Sequence, residues 1–162
     1  MGAIVVIVLV LVMLVGSVLW LKPSAAQQRQ TKLRLLARQL GLDVRLCTLP
    51  QTRRARVREE LPQQGVVYRL LRFGEKTPKP LTYLLCRADA QTAWESETDM
   101  ELPKPVRAQL DSVLLQLPGD AVAFEITAQG CGVYWRERGD EETVRLLQRL
   151  LESMQQALSS VT

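Results

Sequence analysis

The sequence predicts an α+β fold: an N-terminal transmembrane helix, a basic juxtamembrane helix, and a small domain whose mostly antiparallel sheet has about five strands and two helices in ββαββα-like order. Three observations lead there. The chain opens on an apolar run with no charged side chain before Lys22. Several later segments alternate apolar and polar residues with the period of two that half-buried strands require. Two others repeat apolar residues at three-four spacing, which lines one face of a helix.

From Ala3 to Leu21 the residues are almost all Val, Leu and Ile. As a helix this run is about 28 Å long, close to the hydrocarbon thickness of a bilayer. Trp20 stands where an indole meets the interface, and Lys22 and Pro23 end the run. Ser24-Ala25-Ala26 would suit a signal peptidase. Three features oppose cleavage: no basic residue precedes the apolar core, the core exceeds the usual ~7–15 residues, and Lys22 sits just before the small residues. Lys22, Arg29, Lys32, Arg34 and Arg38 all follow the run, and only the terminal amine precedes it. The expectation is an uncut single-pass membrane protein, spanning over residues 1–22, with its N-terminus outside and its C-terminal domain in the cytoplasm.

Residues 23–41 read as the basic helix. Ser24 serves as N-cap and Gly41 as terminator, and Leu33, Leu36, Ala37 and Leu40 form an apolar stripe. That stripe fits either a lipid surface or the chain's own domain. Residues 22–58 hold ten Lys or Arg against one acid, a net +9, whereas residues 59–162 hold eleven against sixteen, a net −5. The basic half is thus expected to be drawn to anionic headgroups and the acidic half repelled.

The domain is expected over residues 42–158, with 159–162 frayed. Leu42, Val44 and Leu46 alternate as a strand, and LPQTRRARVREELPQQG reads as a loop or short exposed helix bracketed by Pro50 and Pro62. VVYRLLRF and LTYLLCR read as a hairpin around GEKTPKP. DAQTAWESETDMELPKP reads as a surface loop anchored by Trp94 and Met100. A helix starts at Pro105 and carries Val106, Leu110, Val113, Leu114 and Leu117 on one face. AVAFEIT and VYWRER form a second hairpin around AQGCG. The last helix opens on Asp140, Glu141 and Glu142 and continues with Val144, Leu147, Leu151, Met154 and Leu158.

The chain has no His, which removes Ser-His and Cys-His pairs and imidazole metal sites. Phosphate-loop motifs are missing as well. Cys47, Cys86 and Cys131 lack the spacing of a disulfide framework or a zinc site, and a reducing compartment fits them. No metal or cofactor is expected. Glu95, Glu97, Asp99 and Glu101 form a local cluster that solvation explains. Cys131, between two glycines at the expected hairpin tip, is the sole weak catalytic candidate, without His or a near Lys to activate it. Arg53, Arg54, Arg56 and Arg58 could meet acidic lipid or a partner, but no aromatic interleaves them for base stacking, so nucleic acid is not the expected partner.

LWLKPSAAQQRQTKLRLLARQLGLDVRL, the following LP, GVVYRLLR and the later VYWRERG resemble uncharacterised single-pass membrane-anchored proteins of Pseudomonas-type proteobacteria. That resemblance implies a membrane-anchored bacterial protein, which with the expected topology means a single-pass protein of the inner (cytoplasmic) membrane, and it carries over no functional residue. The apolar run followed by Pro, Gln and Arg is also similar to the small accessory subunit of the preprotein translocase; here Ser24-Ala25-Ala26 interrupts that family's basic run, and the distal domain is longer.

The functional expectation is an interaction or adaptor module. Lys22, Arg29, Lys32, Arg34, Arg38, Arg53, Arg54, Arg56 and Arg58 would bind the bilayer's anionic lipid, another membrane protein or a second copy of the chain, with Trp20 at the interface. One alternative is a structural homo-oligomer joined through Gly16 and Ser17 or the last helix. The other is a thiol-dependent enzyme or redox-sensitive protein using Cys131.

Overall fold

A computed structural model describes residues 2–20, 24–71 and 82–160, with all their side chains except those of residues 11, 14–20 and 82. The chain divides into two compact units, residues 1–32 and 33–162. In the first, α1 (Gly2–Trp20) exposes Ile4, Val5, Val6, Ile7 and Val8 among others, and α2 (Ala25–Gln39) begins. Ser24 caps α2: its hydroxyl accepts the Gln27 N–H at 3.2 Å while the Gln27 side chain accepts the Ser24 N–H at 2.9 Å.

Among the described residues no helix is long and apolar enough to cross a membrane. That finding overturns the transmembrane helix over residues 1–22, the single-pass topology and the inner-membrane localisation. Lys22 and the side chains of Trp20, Gly16 and Ser17 lie outside what is described.

The second unit is α+β, built on a six-stranded antiparallel sheet in the order β1-β2-β6-β5-β3-β4. Its strands are β1 (Asp43–Thr48), β2 (Gln64–Leu71), β3 (Thr82–Cys86), β4 (Glu95–Ser96), β5 (Ala121–Thr127) and β6 (Gly130–Trp135). Its helices besides the end of α2 are α3 (Arg53–Val57), α4 (Lys104–Gln116) and α5 (Glu141–Ser159). The sixth strand is β4, two residues inside the expected acidic loop that pair with Leu85 and Cys86.

The expected hairpin between the second and third strands does not form. β2 pairs with β1 and β6, and β3 pairs with β5 and β4. The β5–β6 hairpin lies between them and supplies a ladder to each. The intervening GEKTPKP lies outside the described residues.

Strand alternation sends Val66, Tyr68, Cys131, Val133, Trp135, Phe124, Ile126, Tyr83 and Leu85 to one face, where they share a core with Leu110, Val113, Leu147 and Leu151 of α4 and α5. Leu33 and Ala37 of α2 are buried in the same core, so the apolar stripe of that helix is a core face over these residues. Leu46 differs from its expected inward role: on the edge strand β1 it is 71% exposed. Asp140 closes a capping box with Thr143 at the start of α5, satisfying two backbone donors that the first turn leaves without partners.

The opposite face carries charge. Arg69 and Glu125 flank Gly132 in register, their side chains pair across β6, and the Tyr134 hydroxyl donates to Glu125 at 2.7 Å. Burial, together with this bond, pushes the Tyr134 hydroxyl up to about 12, so it remains a donor at neutral pH. A Cβ on Gly132 would lie 2.8 Å from Arg69 Cγ and 3.1 Å from a Glu125 oxygen, so the missing side chain is what lets this pair lie flat.

Candidate functional site

The basic residues singled out in the sequence separate into two groups. On α2, Arg29, Lys32 and Arg38 are exposed, whereas Arg34 turns inward. Its Nε donates to both Glu137 oxygens, at 2.9 and 3.2 Å, so its charge is paired with a carboxylate that is only 2% exposed. The Tyr68 hydroxyl donates to the same carboxylate at 2.7 Å. Burial and that bond push the Tyr68 hydroxyl well above its ordinary value, and the bond to Glu137 raises Arg34. Arg34 is therefore a structural tie between α2 and the chain after β6.

The second group sits on the β1–β2 connection, which folds into α3. Thr52 caps this short helix, its hydroxyl accepting the Ala55 N–H at 3.3 Å. Glu97, next to β4, accepts the Arg53 backbone N–H at 3.1 Å and pairs with the Arg56 guanidinium. The Gln51 side-chain amide donates to the Glu60 carbonyl at 2.7 Å, and the Leu49 N–H to the Gln63 carbonyl at 2.8 Å. These bonds fix the backbone of a segment that is otherwise polar and exposed. Arg56 is thus engaged internally, while the side chains of Arg53, Arg54 and Arg58 are exposed with no carboxylate against them among the described residues. Val57, 77% exposed, and Leu61, 87% exposed, lie beside them in the sequence.

Beneath this segment, at one end of the sheet, is a cavity of about 80 Å³. Thr52, Ala55, Val122, Glu60, Arg87 and Arg136 contribute to its lining. Sequence reasoning missed both arginines. Each directly follows a strand, Arg87 after β3 and Arg136 after β6, and strand ends brought to one edge of a sheet are visible only once the strand order is known. The one local signal is a single arginine after an apolar run, in LLCR and in VYWR.

Arg87 is 8% exposed. Its guanidinium donates to the carbonyls of Ala121 at 2.7 Å and Pro118 at 2.5 Å, and it lies 4.4 Å above the centre of the Trp94 ring. Burial pulls it below its ordinary value, opposed by the charges of Asp120 and Asp89. Arg136 has a buried Nε with no acceptor.

The thiols are not placed for nucleophilic chemistry. Cys131 is not at a hairpin tip: the turn is Ala128-Gln129, and Cys131 lies within β6, its Sγ donating to the Leu151 carbonyl at 3.5 Å inside the core. Burial pushes the Cys86 thiol up to about 12 and raises Cys47 as well. Of the acidic cluster, Glu97 is used in holding α3, and Glu95, Asp99 and Glu101 are exposed. Among the described residues no group of three His, Cys, Asp or Glu side chains could hold a metal ion. Comparison with protein-family models, curated proteins and solved structures returns no match.

Proposed function

We propose that this chain is an interaction module that binds an acidic surface of a partner protein through the α3 segment. The observation that carries the reading is the division of labour among four neighbouring arginines: Arg56 and the Arg53 backbone secure the segment to Glu97, and the side chains of Arg53, Arg54 and Arg58 are left exposed beside Val57 and Leu61. Arginine with exposed apolar side chains on a fixed backbone is the composition that protein interfaces favour, because the planar fork pairs with carboxylates and little order has to be imposed on binding. A lipid-facing reading would want a longer amphipathic helix, and α3 has five residues.

A photoreactive amino acid placed at Val57 tests this in cells, with the same probe at Leu115 on α4, 88% exposed, as the comparison. The expected result is a discrete protein adduct from position 57 that position 115 does not give. Identical adduct patterns from both positions, or none from position 57, would contradict the reading.

A further inference from the structure

The cavity under α3 goes beyond that reading, since none of Arg53, Arg54 and Arg58 lines it. We propose that it is a binding site for a small phosphate-type oxyanion, held between the guanidinium groups of Arg87 and Arg136.

Three observations converge on it. Two cations line one small cavity, and neither has a carboxylate within ion-pair distance among the described residues; Arg87 bonds only to carbonyls and a ring face, and the Arg136 side chain bonds to none of the described residues. Buried charge is normally paired, because removing it from water is costly unless an opposite charge or a full set of hydrogen bonds replaces the water. The Arg136 Nε is a buried donor with nothing to donate to, and such groups are rare enough in folded proteins to require a reason. The space itself is polar and roomy: about 80 Å³ holds several water-sized groups, where one water needs roughly 10–15 Å³.

The class of anion follows from the number of donors. A carboxylate is planar and is matched by one guanidinium fork. Two guanidinium groups and the Thr52 hydroxyl among the lining residues offer more donors than one carboxylate can use, and a tetrahedral anion can take them on separate oxygens. Glu60 is the sole acidic residue of the lining, and it is exposed; Asp120 and Asp89, which act on Arg87, are not part of the lining. The Thr52 hydroxyl already accepts the Ala55 N–H and retains its own proton to donate.

Calorimetric titration of the full chain with inorganic phosphate, against chloride at equal ionic strength, tests the site. Saturable binding is expected in the wild type and in Arg54→Gln, with affinity reduced about tenfold or more in Arg136→Gln, which removes the charge without breaking a side-chain hydrogen bond among the described residues. Should Arg136→Gln fail to melt cooperatively, Ala55→Met gives the same comparison by filling the cavity from α3 with both guanidinium groups kept. Tighter binding of a phosphate monoester than of the free ion would place the anion on a larger molecule. No saturable binding by the wild type, or equal binding by wild type and a folded cavity variant, would overturn the proposal. Loss of binding in Arg136→Gln alone separates this site from the exposed arginines, whose role Arg54→Gln samples.

Discussion

Gly130→Ala is expected to lower the unfolding free energy by about 3 kcal/mol or more, enough to shift the melting temperature by ~10 °C in a domain of this size. Gly130 opens β6 directly after the Ala128-Gln129 turn and faces Leu71 in register. Its φ of 141° lies in a region that side chains avoid, and a Cβ there would be 2.0 Å from the Leu70 carbonyl oxygen and 3.1 Å from Leu71 Cα. Those contacts are backbone, so relief requires β2 and β6 to separate, and this ladder lies inside the sheet with β1 on one side and β5 on the other. Gly132→Ala is expected to be milder, because its closest neighbour is the flexible Arg69 side chain. Thermal unfolding of the two variants checks the order; equal losses would mean that the Leu70 contact does not decide the register.

Removing Glu137 is the second large effect. Glu137→Ala is expected to cost about 3 kcal/mol, the lower part of the range for breaking a buried pair, because Arg34 is 27% exposed and can partly regain water. Tyr68, fully buried, cannot: its hydroxyl would lose its acceptor in the core. Glu137 also holds a φ of 57°, unfavourable for any side chain. Glu137→Gly should therefore be less damaging than Glu137→Ala by roughly 1 kcal/mol, although both lack the carboxylate. Denaturant unfolding measures both, and a Gly variant no better than the Ala variant would show that the backbone strain is not released.

The elements of this chain were more legible than their neighbours. Val144, Leu147, Leu151 and Met154 mark α5 because burial recurs with the helical period, and the buried residues Val106, Leu110 and Val113 mark α4 the same way. Strand pairing is a different matter. Val66 to Phe73 and Leu81 to Arg87 look like partners because they are adjacent in sequence, but the ladder each makes with the β5–β6 hairpin depends on residues about 40 or more positions away. Cys131 drew attention for its flanking glycines, yet those glycines serve the close approach to Leu70 and the clearance under Arg69 and Glu125, and the thiol between them is core. β5 shows the same limit: all of Ala121 to Ile126 is buried, so alternation could not tell its two faces apart.

The candidate site was half visible. The arginine run was plain, but nothing local says that Arg56 pairs with Glu97, 41 positions on, or that Arg34 is tied to Glu137, 103 positions on. Arg87 and Arg136 became neighbours of one cavity only through the strand order, and the apolar opening of the chain suggested a span that the described residues do not support.

The most direct test of the interaction reading reverses the charge of the exposed arginines together. Arg53→Glu, Arg54→Glu and Arg58→Glu, combined in one chain that carries the photoreactive residue at position 57, leave Arg56, Glu97 and the α3 cap in place. The account predicts that the partner adduct disappears while thermal unfolding stays within about 1 kcal/mol of the parent, as exposed substitutions usually do. An adduct of undiminished yield in that folded variant would contradict it.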